Sequence, residues 1–296
     1  DGGTYVAYLF AHNDGSFGES SDEAVIKCGT YAGTGQDGFP GNKITLGFEP
    51  QWLLIKAIDQ SGTDWEILDS TRGMFADTNN GSPFLRANLT SAEFQNDARA
   101  IFLHADGFSV QSNNTSINGT SGDDFIYIAI RRPHKPPEAA TECFDIKQTT
   151  GNNVNARHIA GTSGSSPTDL HFIKRVNDAG EPAYISSRLQ GNLTFKASEN
   201  EGGVRSVFGS SLNPYDVMNG IKVGQDGGMN SSSNTYVSHF FSRKPGFMDV
   251  VIYTGTSGAQ NIKHSLGVTP EFIIIKKTSE ASYYEATIYH GTTGNL

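Results

Sequence analysis

Pro50-Gln51-Trp52-Leu53-Leu54-Ile55-Lys56 is an apolar run that opens on a proline and closes on Ile-Lys. It returns as Pro167-Thr168-Asp169-Leu170-His171-Phe172-Ile173-Lys174, with one residue inserted, and again as Pro270-Glu271-Phe272-Ile273-Ile274-Ile275-Lys276. The three lysines stand 118 and 102 residues apart. A second set keeps nearly the same spacing about twenty residues earlier: Tyr31-Ala32-Gly33, Thr149-Thr150-Gly151 and Tyr253-Thr254-Gly255. The third set, Tyr5-Val6-Ala7, Tyr127-Ile128-Ala129 and Tyr236-Val237-Ser238, contracts in the same way. Self-similarity at a fixed period marks a chain built from repeated units.

The order of these anchors sets the module boundaries. Residues 1–20 read as the last strand of a preceding module, Thr4–His12, and a linker. Residues 21–135 and 136–245 read as two full modules, and 246–296 as the first half of a following one. On this reading the chain is a piece of a longer array. The joints are short and polar: Asn13–Asp22, Arg132-Pro133-His134-Lys135-Pro136-Pro137 and Arg243-Lys244-Pro245-Gly246. Proline fixes φ, so the joints are expected to hold the modules in a set orientation.

Within the first module, strands are predicted near Val25–Tyr31, Lys43–Phe48, Trp52–Asp59, Trp65–Ser70, Ala100–His104, Phe108–Gln111 and Phe125–Arg132. Phe125–Ile130 is apolar on both faces, as a central strand requires, whereas Ile44–Phe48 alternates like a half-buried one. Asp106-Gly107 predicts a hairpin with a type I′ turn. Only Ser91–Arg99 has the composition of a short helix. Seven short strands joined by turns imply an all-β fold of tandem antiparallel sandwiches, jelly-roll or lectin-like.

Composition narrows the function classes. Gly is frequent at 34 residues and hydrophobic residues reach only 36%, which suits short strands and tight turns. A net charge of −9 argues against nucleic acid as partner, since backbone binding needs clustered Lys and Arg. There is no apolar run of the 18 residues a membrane span needs and no signal-peptide pattern, so membrane insertion is not expected. Two cysteines, Cys28 and Cys143, are too few for a disulfide scaffold or a zinc site.

The strings Tyr31-Ala32-Gly33-Thr34-Gly35, Leu46-Gly47-Phe48-Glu49-Pro50, Asp69-Ser70-Thr71-Arg72-Gly73, Asp106-Gly107-Phe108-Ser109-Val110 and Tyr127-Ile128-Ala129 resemble repeated domains in virion structural proteins of tailed phages. Such domains are frequent in tail fibres, notably those of marine cyanophages. The resemblance implies a concanavalin-like sandwich in an extracellular virion protein that attaches to a host. The implied partners are further copies of the chain in a homo-oligomer, such as a trimer, other virion proteins, and a host-surface glycan or protein. No catalytic residue is implied. The second module departs from the pattern, with Ser186-Ser187-Arg188-Leu189-Gln190-Gly191 where Asp-Ser-x-Arg-Gly should stand. A bacterial cell-surface adhesin with the same repeats and a glycan-cleaving tailspike are the rival readings.

Candidate site residues follow from side-chain chemistry. Exposed aromatics stack on sugar rings, which singles out Trp65, Tyr184, Tyr283 and Tyr284, all just after an Ile-Lys strand; core packing is the competing role. Asp69 and Arg72 are read as a structural pair that ties down a loop, and Asp106 with Gly107 as turn residues. His104 and Asp106 form no catalytic dyad, because no nucleophile motif accompanies them. Glycoside hydrolysis needs two carboxyls flanking a cleft, and Glu66 and Asp69 point to opposite faces of their strand. No cofactor is implied. Asp123-Asp124 and Asp226-Gly227-Gly228 have the oxygen chemistry of a Ca2+ site without a known loop spacing. N-x-S/T sequons, among them Asn88, Asn113, Asn114, Asn118, Asn192 and Asn230, matter only in a glycosylating host.

Overall fold

The structure, a computed structural model, describes all residues except 1, 19–22, 39, 75–80, 96–98, 134, 162–166, 178, 192–193, 197–203, 206–213, 254, 278–285, 293 and 296. It is an all-β protein of antiparallel sheets.

The first stretch contains β1 (Ile26–Ala32), β2 (Asn42–Thr45), β3 (Pro50–Ala57), β4 (Glu66–Asp69), β5 (Leu85–Arg86), β6 (Ile101–His104), β7 (Gly107–Val110) and β8 (Asp124–Arg131). They form a five-stranded sheet, β1-β8-β3-β4-β5, and a three-stranded sheet, β2-β7-β6. Alternation along β3 and β8 turns Leu53, Ile55, Phe125, Tyr127 and Ala129 into a core shared with Ile44, Leu103, Phe108 and Val110 of the smaller sheet. Two sheets enclosing one apolar layer make a sandwich. The strand apolar on both faces, β8, sits between β1 and β3.

The second stretch repeats that wiring. Its strands are β9 (Phe144–Thr150), β10 (Arg157–Ile159), β11 (Leu170–Arg175), β12 (Tyr184–Ser187), β13 (Thr194–Lys196), β14 (Val204–Arg205), β15 (Ile221–Val223) and β16 (Thr235–Phe241). The order β14-β13-β12-β11-β16-β9 places β9, β16, β11 and β12 where β1, β8, β3 and β4 stand, and β10 pairs with β15 as β2 does with β7. A last sheet holds β17 (Phe272–Ile275), β18 (Thr287–His290) and β19 (Gly294–Asn295).

Pairing corrects one anchor of the repeat. Tyr31 faces Phe125, and its counterpart Thr149 faces Tyr236. The partner of Tyr236 is therefore Phe125, not Tyr127, and Tyr127 corresponds to Ser238. A slip of two leaves every side chain on its own face, so apolar patterning could not reveal it.

Three local expectations also change. Residues 91–95 and Arg99 are not helical; Phe94 instead bridges Phe84 through paired backbone bonds of 2.9 and 3.0 Å. Residues 4–12 enter no strand: a strand exists through its ladder partners, and they have none among the described residues. The hairpin between β6 and β7 forms, but its central residues are Ala105 and Asp106, and neither Asp106 nor Gly107 has positive φ. Glycine is required at 107 for another reason: a Cβ there would lie 2.1 Å from the Ile44 carbonyl oxygen of β2.

Candidate functional site

The four aromatic candidates part company in the structure. Trp65 lies just before β4 and keeps 39% of its surface exposed. Tyr184 does not occupy the same position. Ile55 faces Glu66 and Ile173 faces Tyr184, so Tyr184 is the counterpart of Glu66, one residue on. That odd offset turns it into the sandwich core, where it is 2% exposed and has no free face for a ligand. Tyr283 and Tyr284 lie outside the described residues.

Around Trp65 the edge of the large sheet is polar and ordered. The Trp65 backbone N–H donates to Asn88 Oδ1 at 3.0 Å, and Asn88 Nδ2 donates to Asp64 Oδ1 at 2.9 Å. Arg86 pairs with the other oxygen of Asp64 at 3.1 Å. Its guanidinium also lies over Phe94, 5.4 Å from the ring centre. Beneath this layer Glu66 is fully buried, with Arg99 Nε 3.3 Å from Oε1. Burial pushes its carboxyl above the ordinary value, against the pull of Arg99 and Arg86. Trp65 thus lies next in the chain to Asp64, and Asn88, which accepts its backbone N–H, and Arg86 are both bonded to Asp64; aromatic, carboxylate, amide and guanidinium groups are those that bind a sugar's apolar ring face and its hydroxyls.

Asp69 and Arg72 close the loop after β4. Asp69 Oδ1 accepts the Arg72 backbone N–H at 2.8 Å and Oδ2 accepts Arg72 Nε at 2.6 Å. In the second sandwich Asp69 corresponds to Ser187 and Arg72 to Gln190, and Ser187 Oγ donates to Gln190 Oε1 at 2.9 Å. The departure from Asp-Ser-x-Arg-Gly thus keeps the bond in neutral form. Asp106 is paired with Lys43 at 3.1 Å and Lys263 at 3.5 Å. His104 contacts Ser109 Oγ at 3.1 Å, and burial, aided by Lys43, lowers its pKa to about 4.

The two acidic loops use their carboxylates internally. Asp123 accepts from Thr120 N at 2.7 Å and Gln60 Nε2 at 2.9 Å, and Asp226 accepts from Gly228 N at 2.8 Å. Among the described residues no group of three His, Cys, Asp or Glu side chains could hold a metal ion.

A second cluster, which sequence reading missed, joins the three units. Arg243 follows β16 and is almost fully buried. Its Nη1 donates to Glu49 Oε1 of the first unit at 2.7 Å, and Nη2 makes a second, shorter contact with Oε2. Its Nε donates to Asp249 Oδ1 at 2.7 Å, at the start of the last unit, and its backbone N–H donates to Asp169 of the second at 2.8 Å. Arg132, which follows β8 as Arg243 follows β16, donates to the same Asp169 oxygen at 2.8 Å. Burial works against the charge on Arg243, but Glu49, Asp249 and Asp169 raise its pKa on balance.

Loops contribute further contacts. Leu189, from the short 3-10 turn after β12, is buried in the first core, and Arg188 reaches the Ser70 carbonyl at 3.5 Å. The cavity at this junction, lined in part by Glu49, Arg132, Arg243 and Ser265, measures about 50 Å³, room for little more than a water. The cluster is a joint rather than a ligand site.

A family model described as a domain of unknown function (DUF7483) matches residues 1–133 and 245–295, more than half of the chain. The chain belongs to that family. The DUF7483 match spans the first sandwich and the last unit and leaves out 134–244, the stretch whose motifs have drifted. No curated protein and no solved structure matches the chain.

Proposed function

We propose that this DUF7483 chain is a rigid spacer and adhesion element of an extracellular appendage, of the kind a tailed-phage fibre uses to reach a host surface. The observation that carries the spacer role is the Arg243 joint. One buried guanidinium bonds carboxylates of the first and last units, and its backbone bonds the second. A buried charge that loses its partner is costly, about 3–5 kcal/mol, so motion that parts Glu49 from Arg243 is resisted. Sequence repeats supply the length, and the resemblance to virion repeats supplies the setting.

The adhesive role is assigned to the Trp65 edge, with a surface glycan as ligand. Asp64, Asn88 and Arg86 hold one another in place, so their polar groups are preorganised beside the exposed indole. Binding to immobilised bacterial surface polysaccharides tests this. The intact chain is expected to be retained and Trp65→Ala to lose at least about tenfold in affinity, in line with one aromatic stacking contact and its buried area. Equal retention of both proteins would refute the assignment of the site.

A further inference from the structure

An antiparallel sheet with water on one side alternates apolar and polar residues along each strand, whereas strands apolar on both faces belong between two layers. The large sheet of the first sandwich is apolar on both faces. Its inner face carries Leu53, Ile55, Phe125, Tyr127 and Ala129. On its outer face Ile130 and Ile128 of β8 stand opposite Trp52 and Leu54 of β3. Cys28 of β1 and Ile67 of β4 extend the row of Ile128 and Leu54. These outer side chains all remain part-exposed, while their inward neighbours on β3, β4 and β8 are buried.

The second sandwich is apolar at the same positions, with rings replacing several aliphatic chains. Transferring the strand pairings, Phe144, Phe241 and Leu170 stand where Ile26, Ile130 and Trp52 do, and Ile146 and Phe172 where Cys28 and Leu54 do. Phe241 packs its ring between Phe144 and Phe172, with centroids 4.8 and 5.3 Å apart. Ile146 is 53% exposed. This unit lost the Asp-Ser-x-Arg-Gly motif and exchanged each of these side chains, yet the face stayed apolar. Each face turns polar only at one end, at Thr30 and Lys56 in the first unit and at Gln148 and Lys174 in the second.

Neighbouring units do not close these faces. The second sandwich follows the first directly and leaves its outer face part-exposed; the first precedes the second directly and leaves that one part-exposed too. By the equivalence of the repeats, the missing layer is neither the unit before nor the unit after. We propose that it is the same face of a second copy of this chain, large sheet packed on large sheet. Area favours that occupant. At about 3.3 Å per residue and about 4.8 Å between strands, each large sheet covers about 450 Å², and the two together about 900 Å². A stable interface needs about 800 Å² from each partner. Charge allows like to meet like: Asp69, beside Trp52 in the pairing, is neutralised by Arg72, and Lys56, Asp124 and Lys174 lie at the polar ends. Two sheets with apolar facing sides pack aligned, about 10 Å apart. The contact uses no ligand and so stands apart from the glycan reading.

Sedimentation velocity of the full chain over a range of concentrations tests the pairing, together with the labelling rate of the Cys28 thiol. The expected result is concentration-dependent association, with Cys28 labelled more slowly as copies associate. Ile128→Lys and Phe172→Lys, one on each face, should together weaken association at least about tenfold, the equivalent of one buried apolar side chain. Circular dichroism should be unchanged in the variant, because both side chains point away from the cores; the Cys28 rate in the unaltered protein stands independently of it. A chain that stays single-copy at every concentration would overturn the proposal, as would association indifferent to both substitutions. Single copies that bind phosphatidylcholine vesicles through the same residues would give the face to a membrane and overturn it equally.

Discussion

His171 gives the second sandwich a sensitivity to acid that reaches lower in pH than the one His104 gives the first. It occupies on β11 the place that Leu53 occupies on β3, and it is fully buried with neither ring nitrogen hydrogen-bonded. Its ring stacks on Phe240 with centroids 5.0 Å apart. Burial, helped by the nearby His239, lowers its pKa from 6.5 to about 3. Tyr215 and Tyr236, which share this core, are pushed by burial further above that range. The folded state therefore binds fewer protons than the unfolded state between these two values, and stability falls as the pH drops below 6.5. At about 1.4 kcal/mol per pH unit, the loss between pH 6.5 and pH 5 is roughly 2 kcal/mol, and it grows until the folded pKa is passed. The assay is urea unfolding at pH 7 and pH 5, read by hydrogen-exchange mass spectrometry on peptides carrying β11 and β16. His171→Leu should remove this loss and should stabilise the second sandwich at pH 7 by about 1 kcal/mol or more, since two buried unpaired nitrogens disappear. The same pH dependence in both proteins would refute the reasoning.

Two further substitutions probe the first sandwich. Gly107→Ala places a Cβ against the Ile44 carbonyl and should cost about 1–3 kcal/mol as overpacking, visible in the tryptophan-monitored urea transition, since both tryptophans lie in this unit. Asp69→Ala removes two bonds that hold the loop 69–73 and should cost about 1.5–3 kcal/mol, less some solvent screening, in the same transition.

Strand placement was legible because it rests on local alternation and on turn residues. Each of the seven expected strands of the first sandwich overlaps an observed one within a few residues at either end. Tyr184 was misplaced because a shift of one residue reverses the face, and only pairing with Ile173 shows that it answers to Glu66. The anchor at Tyr236 was misaligned because a shift of two does not reverse it. Gly107 was read as a residue of positive φ, whereas its constraint is a neighbouring strand that sequence does not place. The Arg243 joint links positions 194 residues apart, and nothing in Arg-Lys-Pro-Gly distinguishes a buried arginine from a solvated linker. The paired linkers were still a signal: Arg132 and Arg243 each follow a closing strand and precede a proline within two residues.

Fixed orientation of the units is the claim on which the spacer role depends. Pulsed electron-electron resonance between spin labels at Ser61→Cys and Val154→Cys, with Cys28 and Cys143 replaced by serine, measures it directly. The joint predicts one narrow distance distribution that broadens when Arg243 is replaced by alanine. A broad distribution in the protein that retains Arg243 would contradict it.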